Sequence, residues 1–367
     1  MPLAKILGAA RKFASLPLRD DWCGLHSPVE LRRIIERERA RTDRNGDPFT
    51  LVTLVARRPD DRVTLVQLAA ELRRRLRLID EAGWLGRDEL AAVLPSTPVA
   101  GAWKVADDLC LSVAPEQALP VCKVYCYPSD WLAEDGPAPG QADGKAQSAG
   151  GESKSSESAE PLETLCSLPM PRWKRGLDIL GASVGLTLLS PVMLGAAAAI
   201  KFSSPGPVLF KQARGGRLGK RFVMYKFRSM VVDAEQRKRE LLALNEQDGP
   251  AFKLSADPRV TPLGRFLRTT SIDELPQLIN VLKGDMSLVG PRPLPCDESD
   301  ACRGWQRRRL DVTPGLTCIW QVRGRSQVSF ADWCRMDLQY VASRSLLRDV
   351  TLIALTLPAV LLRRGAR

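Results

Sequence analysis

Histidine is nearly missing from this chain: of 367 residues, His26 is the only one. It lies far from every other motif, so a Ser-His-Asp triad, a Cys-His pair or a multi-histidine metal centre is excluded from the basic half of the chain. Cysteine occurs nine times but never as C-x-x-C, Cys122 and Cys126 being the nearest approach. An odd count at scattered spacings reads as reduced, cytosol-facing thiols rather than a zinc site or a disulfide framework. A secretory signal is also lacking, because Lys5, Arg11 and Lys12 interleave with Leu3, Ile6, Leu7 and Phe13 and no apolar run follows. Residues 1–27 therefore read as a frayed tail. Whatever chemistry occurs must run on carboxylates, Lys, Arg or a hydroxyl.

What the chain does have is length, apolar content and an uneven charge. With 367 residues and 44% hydrophobic composition it exceeds one ordinary core and has the apolar surface for two domains. The formal net charge is +12, and residues 170–367 carry 32 Lys and Arg against 17 Asp and Glu, which leaves the first part slightly acidic. A basic half of this kind calls for an anionic partner: nucleic acid, anionic lipid headgroups or phosphorylated substrates.

Residues 130–169 contain Gly136-Pro137-Ala138-Pro139-Gly140, Gly150-Gly151 and a Ser-rich run over 153–158, with few branched apolar residues. Such a stretch cannot bury enough surface to order itself and reads as a disordered linker. Ahead of it, residues 28–129 predict helices over 28–41, 63–78 and 100–109 and strands over 49–55, 91–94 and 121–127. That order predicts an α/β domain with a mostly antiparallel sheet. Together with Gly86-Arg87-Asp88-Glu89-Leu90 ahead of Ala92-Val93-Leu94-Pro95, it resembles the GGDEF domain of diguanylate cyclases, which implies a ferredoxin-like fold. Arg87 replaces the second signature glycine, and Ala56-Arg57-Arg58 stands where a metal-binding Asp belongs. The resemblance thus implies a degenerate sensory or dimerising domain, with a homodimer through it, rather than a cyclase.

After the linker, residues 179–200 are uncharged and apolar, long enough to cross a bilayer at about 1.5 Å per residue. Arg172, Lys174 and Arg175 precede the run, and Lys201, Lys211, Arg214 and Arg217 follow it, so the positive-inside preference keeps both ends in the cytoplasm. Near its middle, Pro191 of Ser190-Pro191 lacks an amide donor and clashes with the preceding turn. A helix over 177–200 that enters the membrane, breaks at Ser190-Pro191 and returns on the same face satisfies both facts. A straight span and a buried soluble helix are the alternatives. The run 350–362 is too short to span and is expected at the membrane interface.

Residues 271–277 read Ser-Ile-Asp-Glu-Leu-Pro-Gln and open a short amphipathic helix: Leu275, Leu278, Ile279 and Leu282 share one face, and Gly284 ends it. Pro276 belongs in the first turn, which puts Asp273 and Glu274 at the N-terminal end. Ser271-x-x-Glu274 is also a capping box, so a purely structural role competes with a catalytic one. A helix N-terminus is nevertheless an anion site, and the surrounding motifs supply Lys226, Arg228, Arg268 and Arg292 for phosphate. With histidine absent, a carboxylate is the natural nucleophile for phosphoryl chemistry. In Gly290-Pro291-Arg292-Pro293 the prolines hold the Arg292 backbone extended, although a simple surface turn has the same pattern. Arg325, after a strand-like segment over 317–322, is a further candidate for an anionic ligand or a solvated loop residue.

These residues, in this order, resemble the monotopic phosphoglycosyl transferases, the bacterial polyprenyl-phosphate sugar-1-phosphate transferases. The resemblance covers 174–341. It rests on Lys174-Arg175-x-x-Asp178, Ser190-Pro191, Ser204-Pro205-Gly206-Pro207-Val208, Lys226-Phe227-Arg228-Ser229-Met230, the Asp273-Glu274 motif, residues 280–293 and Trp320-Gln321-Val322-x-Gly324-Arg325. It implies a mostly helical, monotopic membrane domain over 170–367, with membrane lipid as a partner and its catalytic face on the cytoplasmic side of the bacterial inner membrane. It implies that Asp273 attacks the β-phosphate of a UDP-sugar and releases UMP, and that polyprenyl phosphate then displaces the aspartate. It also implies Mg²⁺ near Glu274, Lys226, Arg228, Arg268 and Arg292 on phosphates, and Arg325 towards the nucleotide. The product would begin an exopolysaccharide, O-antigen or capsule glycan. Cys318 stands where the family has glycine. The competing readings are a catalytically inactive, membrane-anchored sensory scaffold and, from charge alone, a nucleic-acid-binding protein. An aromatic content of 6% and the uncharged run place nucleic acid last among the partners.

Overall fold

The computed structural model describes residues 24–56, 62–113, 120–129, 159–302, 304–323 and 328–361. The chain divides into two compact units, and the boundary falls between Leu162 and Glu163.

In the first unit Ser27 starts helix α1 (Pro28–Asn45) through a reciprocal box with Glu30, and Gly46, at φ +80°, closes it. Then come β1 (Phe49–Val55), α2 (Arg62–Arg75), β2 (Glu81–Trp84), β3 (Glu89–Pro95), α3 (Val99–Val113), β4 (Val121–Tyr127) and the two-residue β5 (Glu160–Pro161). The sheet order is β2-β3-β1-β4-β5, antiparallel everywhere except β4-β5. β1 lies between β3 and β4 along its whole length, so both its backbone edges are paired, and its side chains from Phe49 to Leu54 are buried. Leu65, Leu68 and Leu72 of α2 and Ala102, Ala106 and Leu109 of α3 build the core. The mixed α/β character and the antiparallel sheet agree with the sequence pattern.

Two expectations need correction here. Strand β2 escapes the pattern because it is short and contains Gly83, whose missing side chain admits the backbone of His26: a Cβ there would lie 2.7 Å from His26 O. The linker expected over 130–169 is ordered from residue 159, since Glu160–Pro161 pairs with β4 and Leu162–Cys166 is helical. Residues 130–158, and 1–23 of the expected tail, lie outside the described residues.

The second unit opens on α4 (Arg172–Ser203), the one helix among the described residues long and apolar enough to cross a membrane by length and composition. At 1.5 Å per residue its 32 residues reach about 48 Å. The helix, which the sequence predicts to kink or break at Pro191, is continuous in hydrogen bonding through that residue, and it extends past the expected bounds of 177–200. The local reason is a substitution of donors. Pro191 cannot bond the carbonyl of Thr187, and the Ser190 hydroxyl donates to that carbonyl instead, at 2.8 Å.

Both ends of α4 rest on the same unit. Ala182 packs with Phe222, Leu278, Val281 and Met286, whereas Ala196 and Ile200 pack with Phe227 and Leu267. The middle is bare, with Leu188 72% and Leu194 71% exposed. Polar groups fix the start of the helix. Lys174 pairs with Asp349 and donates to Val289 O at 2.8 Å, and Asp178 accepts from Ser287 Oγ and Leu288 N at 2.9 and 2.8 Å.

The remainder of the unit is mostly helical around two small sheets. β6 (Leu209–Gly215) and β7 (Arg221–Phe227) form an antiparallel hairpin. α5 (Pro262–Thr269), a 3₁₀ turn (Ile272–Glu274) and α6 (Gln277–Lys283) follow, then β8 (Ser287–Val289), which pairs in parallel with β9 (Gly315–Thr317). α7 (Ile319–Arg323), α8 (Phe330–Ala342) and α9 (Leu346–Leu361) end the described chain. The strand expected over 317–322 is thereby corrected: only Thr317 of it is extended, because β8 stops at Gly290-Pro291, where proline offers no further amide to pair with.

Candidate active site

Asp273 lies in the 3₁₀ turn, entered through Ser271 in the left-handed region at φ +57°. The Ser271 side chain makes no cap bond, so the expected capping box is absent. The α-helix also begins later than predicted, at Gln277, which leaves Asp273 ahead of the helix rather than on its cap. What displaces the box is a stronger attraction for the Glu274 carboxylate. Lys226 Nζ donates to Glu274 Oε1 at 3.0 Å, and Arg292 donates through both Nη atoms, Nη2 to Oε1 and Nη1 to Oε2.

Asn280 and Arg175 hold this turn in place. Buried Asn280 on α6 accepts from Tyr225 N at 3.0 Å and donates to Val223 O at 2.7 Å, so its amide extends the β7 edge and fixes the distance between α6 and Lys226. Arg175 of α4 donates to the carbonyls of Val281 and Leu282, 2.6 Å each, where helix carbonyls run out of amide partners. Gly284, at φ +93°, ends α6 as the sequence predicts.

The two neighbouring carboxylates differ sharply. Asp273 is 6% exposed, and among the described residues its carboxylate accepts no hydrogen bond. Burial and the charge of Glu274 push its pKa up to about 6, against the opposing pull of Lys226, Arg268 and Arg292. Burial also works against ionised Glu274, but Arg292 and Lys226 outweigh it and hold that carboxyl well below the usual range.

Lys226, Arg268 and Arg292 thus converge on the Asp273-Glu274 pair. Arg228 serves another place: its Nη1 donates to Pro205 O at 2.8 Å and its Nη2 to Ser204 O and Oγ at 2.9 and 2.8 Å, which ties down the loop after α4. Arg228 is thus placed against that loop, and among the described residues it bonds neither Asp273 nor Glu274. Arg325 lies outside the described residues. Cys318, buried, donates to Gln321 Oε1 at 3.0 Å and its loop accommodates the thiol in place of glycine.

The family model described as bacterial sugar transferase matches residues 170–363, more than half of the chain. The chain belongs to the bacterial sugar transferase family. Similar proteins include the galactosyl transferase CpsE of Streptococcus agalactiae serotype III (strain NEM316), 49% identical over 195 residues that cover 53% of this chain and 43% of CpsE. The exopolysaccharide production protein ExoY of Rhizobium meliloti (strain 1021) is 42% identical over 197 residues, 53% of this chain and 87% of ExoY. The UDP-glucose:undecaprenyl-phosphate glucose-1-phosphate transferase of Caulobacter vibrioides (strain ATCC 19089 / CIP 103742 / CB 15) is 41% identical over 208 residues, 53% of this chain and 73% of that protein. The chain thus spans less than half the length of CpsE. Among solved structures, the GGDEF domain of DgcB from Caulobacter crescentus in complex with c-di-GMP superposes with a TM-score of 0.27 at 12% identity, covering 30% of this chain and 78% of that one.

All the residues around Asp273 fall inside the matched segment. Their chemistry suits Mg²⁺, which takes one or two carboxylates and completes its shell with water and substrate phosphates. Lys226 and Arg292 use three of the roughly four lone-pair positions on Glu274, so one remains on Oε2. Among the described residues no three His, Cys, Asp or Glu side chains converge on a metal-sized site, so a cation here would depend on phosphate ligands. Asn280, which joins α6 to β7, is a contributor that sequence reasoning misses, as are the contacts of Arg214 with Pro293 O and of Arg309 with Arg292 O. Arg309 ends the run Arg307-Arg308-Arg309, in which nothing local marks one arginine as buried.

Proposed function

We propose that the chain transfers a sugar-1-phosphate from a UDP-sugar to a polyprenyl phosphate such as undecaprenyl phosphate, at the cytoplasmic face of the bacterial inner membrane. Asp273 is the nucleophile, and the product starts an exopolysaccharide, O-antigen or capsule glycan. The observation that carries this reading is the contrast between Asp273, buried with no hydrogen bond among the described residues, and Glu274, locked between Lys226 and Arg292. The Caulobacter relative bears the name of this reaction with glucose, and ExoY is named for exopolysaccharide production.

In the first half-reaction an Asp273 oxygen attacks the β-phosphorus, the bond from that phosphorus to the bridging oxygen breaks, and UMP leaves with the electron pair. A phosphosugar-aspartate remains. In the second, an oxygen of the polyprenyl phosphate attacks the same phosphorus and the Asp273 carboxylate leaves. Because Asp273 accepts no bond from the described residues, its oxygens need not shed a partner to attack. Lys226, Arg268 and Arg292 place fixed positive charge where the phosphoryl oxygens gather negative charge. Mg²⁺ beside Glu274 and Asp273 would add Lewis-acid neutralisation of the diphosphate.

The contacts of α4 support a helix that enters and leaves on one face, since both its ends pack on the catalytic unit around a bare apolar middle. α9, with Leu347 78% exposed and Val350 and Leu355 beside it, suits the membrane interface. The test is to incubate membranes carrying the full chain with a panel of UDP-sugars. Without lipid, one substrate should give roughly one UMP per active site and add the mass of a sugar phosphate to the Asp273 peptide. UMP release that depends strictly on lipid, with no adduct, would instead indicate direct transfer.

A further inference from the structure

Prolines at 291, 293 and 295 deprive the chain around Arg292 of amide donors. This segment cannot build a strand ladder, and each of its carbonyls must find a donor elsewhere. Four consecutive carbonyls do so. Pro291 O accepts from Gly315 N at 2.9 Å and Leu294 O from Gly215 N at 3.1 Å, both backbone donors. The first approach is so close that a Cβ on Gly315 would lie 2.0 Å from Gly290 N. The two carbonyls between them accept from side chains distant in sequence: Arg292 O from Arg309 Nη2, and Pro293 O from Arg214 Nη1 at 2.9 Å.

Neither arginine sits there cheaply. Arg309 is 3% exposed, with its Nε and Nη2 at 3.1 and 2.8 Å from Oδ2 of Asp337, itself 1% exposed. Desolvation consumes most of what such a buried ion pair gains, so the pair by itself is weak support for the fold. Arg214 keeps its Nε buried without a hydrogen-bond partner among the described residues, a further cost. The first falls on the backbone of Arg292, whose guanidinium grips Glu274 with two donors, and the second on that of its neighbour Pro293.

We propose that Arg309, held by Asp337, and Arg214 are positioning residues that fix the backbone at Arg292 and Pro293 from two sides and so keep the Arg292 guanidinium on Glu274. Among the described residues neither donates a hydrogen bond to Asp273 or Glu274: Arg309 acts through Arg292, and Arg214 acts through Pro293 while its charge also reaches Glu274. Reacting groups must be held to about half an ångström, and a supporting shell supplies that precision. The inference rests on the transferase reading, and deepens it by extending the site to α8, which carries Asp337.

The experiment measures UMP release by the full chain in membranes, with the UDP-sugar that the wild type turns over and undecaprenyl phosphate. Arg309→Met and Arg214→Met should each lower kcat about 10- to 100-fold, the scale of a small misplacement at a reacting centre. Arg214→Lys, which keeps one donor for Pro293 O, should recover at least about half of the wild-type rate. In an Arg292→Ala background Arg309→Met should cost less than about 2-fold, because its target is gone. A role in general stability predicts the opposite: the same fold-loss in both backgrounds, no rescue by lysine, and a fall in melting temperature that tracks the lost activity. That result, or Met variants within about 2-fold of wild type, overturns the inference. Should Arg309→Met fail to fold with Asp337 left unpaired, the Arg214 variants decide, since both bonded partners of that side chain are neutral. Should Arg292→Ala release no measurable UMP, the lysine rescue decides. A wild type that releases UMP from no UDP-sugar refutes the transferase reading, and this inference with it, whereas an active wild type with unaffected variants refutes the inference alone.

Discussion

Asp273 and Glu274 are adjacent carboxylates in one 3₁₀ turn, and the cations around them have settled on only one of the two. Glu274 accepts from Lys226 and Arg292, while Asp273 feels their charge without bonding them. Environments that push neighbouring carboxyl groups apart assign them different work. Here the deeply acidic one organises charge, and the one pushed up to about 6 is left to react.

The first consequence is a pH dependence. A nucleophilic carboxylate must be ionised, so kcat/KM should rise with pH through about 6, where Asp273 loses its proton, and not near the usual 3.8. Single-turnover UMP release from the UDP-sugar without added lipid, between about pH 5 and 8, would show it, because the diphosphate diester keeps its charge there whereas a polyprenyl phosphate monoester titrates at about 6. A flat profile would remove Asp273 from the rate-determining chemistry.

Asp273→Asn should abolish turnover, a loss of roughly 10³-fold or more, without unfolding the chain, because no described partner depends on the carboxylate. Glu274→Gln should cost about 10²-fold or more, since it strands Lys226 and Arg292 without their counter-charge. It should also move the acid limb of any residual activity to lower pH, because the Glu274 charge is one cause of the raised Asp273 pKa. Kinetics on the two variants, with circular dichroism as a folding control, check both statements.

Asn280→Leu should be a stability mutant. It leaves Tyr225 N and Val223 O buried without their side-chain partner, at a cost of about 1–3 kcal/mol for each group that stays unsatisfied. Thermal denaturation in detergent measures it. An unchanged midpoint would mean that β7 and α6 are held by apolar packing alone.

Topology can be read by labelling. Single cysteines placed at exposed Arg172 and Lys211 in an otherwise cysteine-free chain should react with a membrane-impermeant maleimide from the same side. Labelling from opposite sides would make α4 a straight span.

The first unit should make no cyclic dinucleotide from GTP, because Arg87 and the missing metal Asp deprive it of the cyclase machinery. Purified full chain incubated with GTP and Mg²⁺ tests this by chromatography of the products.

Much of this was legible in the residues because the relevant rules are local. Gly284 stops α6 since only glycine sits easily at φ +93°, and the short β-branched and apolar run Phe49–Val55 marks a strand. Where local rules failed, a distant partner had outbid a near one. Ser271 and Glu274 have the spacing of a capping box, yet two cations some 50 and 20 residues away claim the carboxylate. Pro191 should kink or break its helix, yet the neighbouring Ser190 hydroxyl repairs the turn. Arg228 lies in a motif rich in phosphate-binding types, and nothing local announces its bonds to the loop carbonyls of Ser204 and Pro205. Arg309 could not be singled out at all, since burial of one arginine among three depends on Asp337, 28 positions on.

The packing of α4 also limits how a form free of its exposed apolar surface could be made. Ala182, Ala196 and Ile200 are wall as well as anchor: the same helix that exposes Leu180, Leu188 and Leu194 closes two hydrophobic clusters beside the Asp273 turn. Cutting the helix away would open both clusters to water and release Arg175 from the end of α6. A water-soluble form is therefore a problem of repainting rather than amputation, in which the outward leucines become polar and the inward face stays as it is.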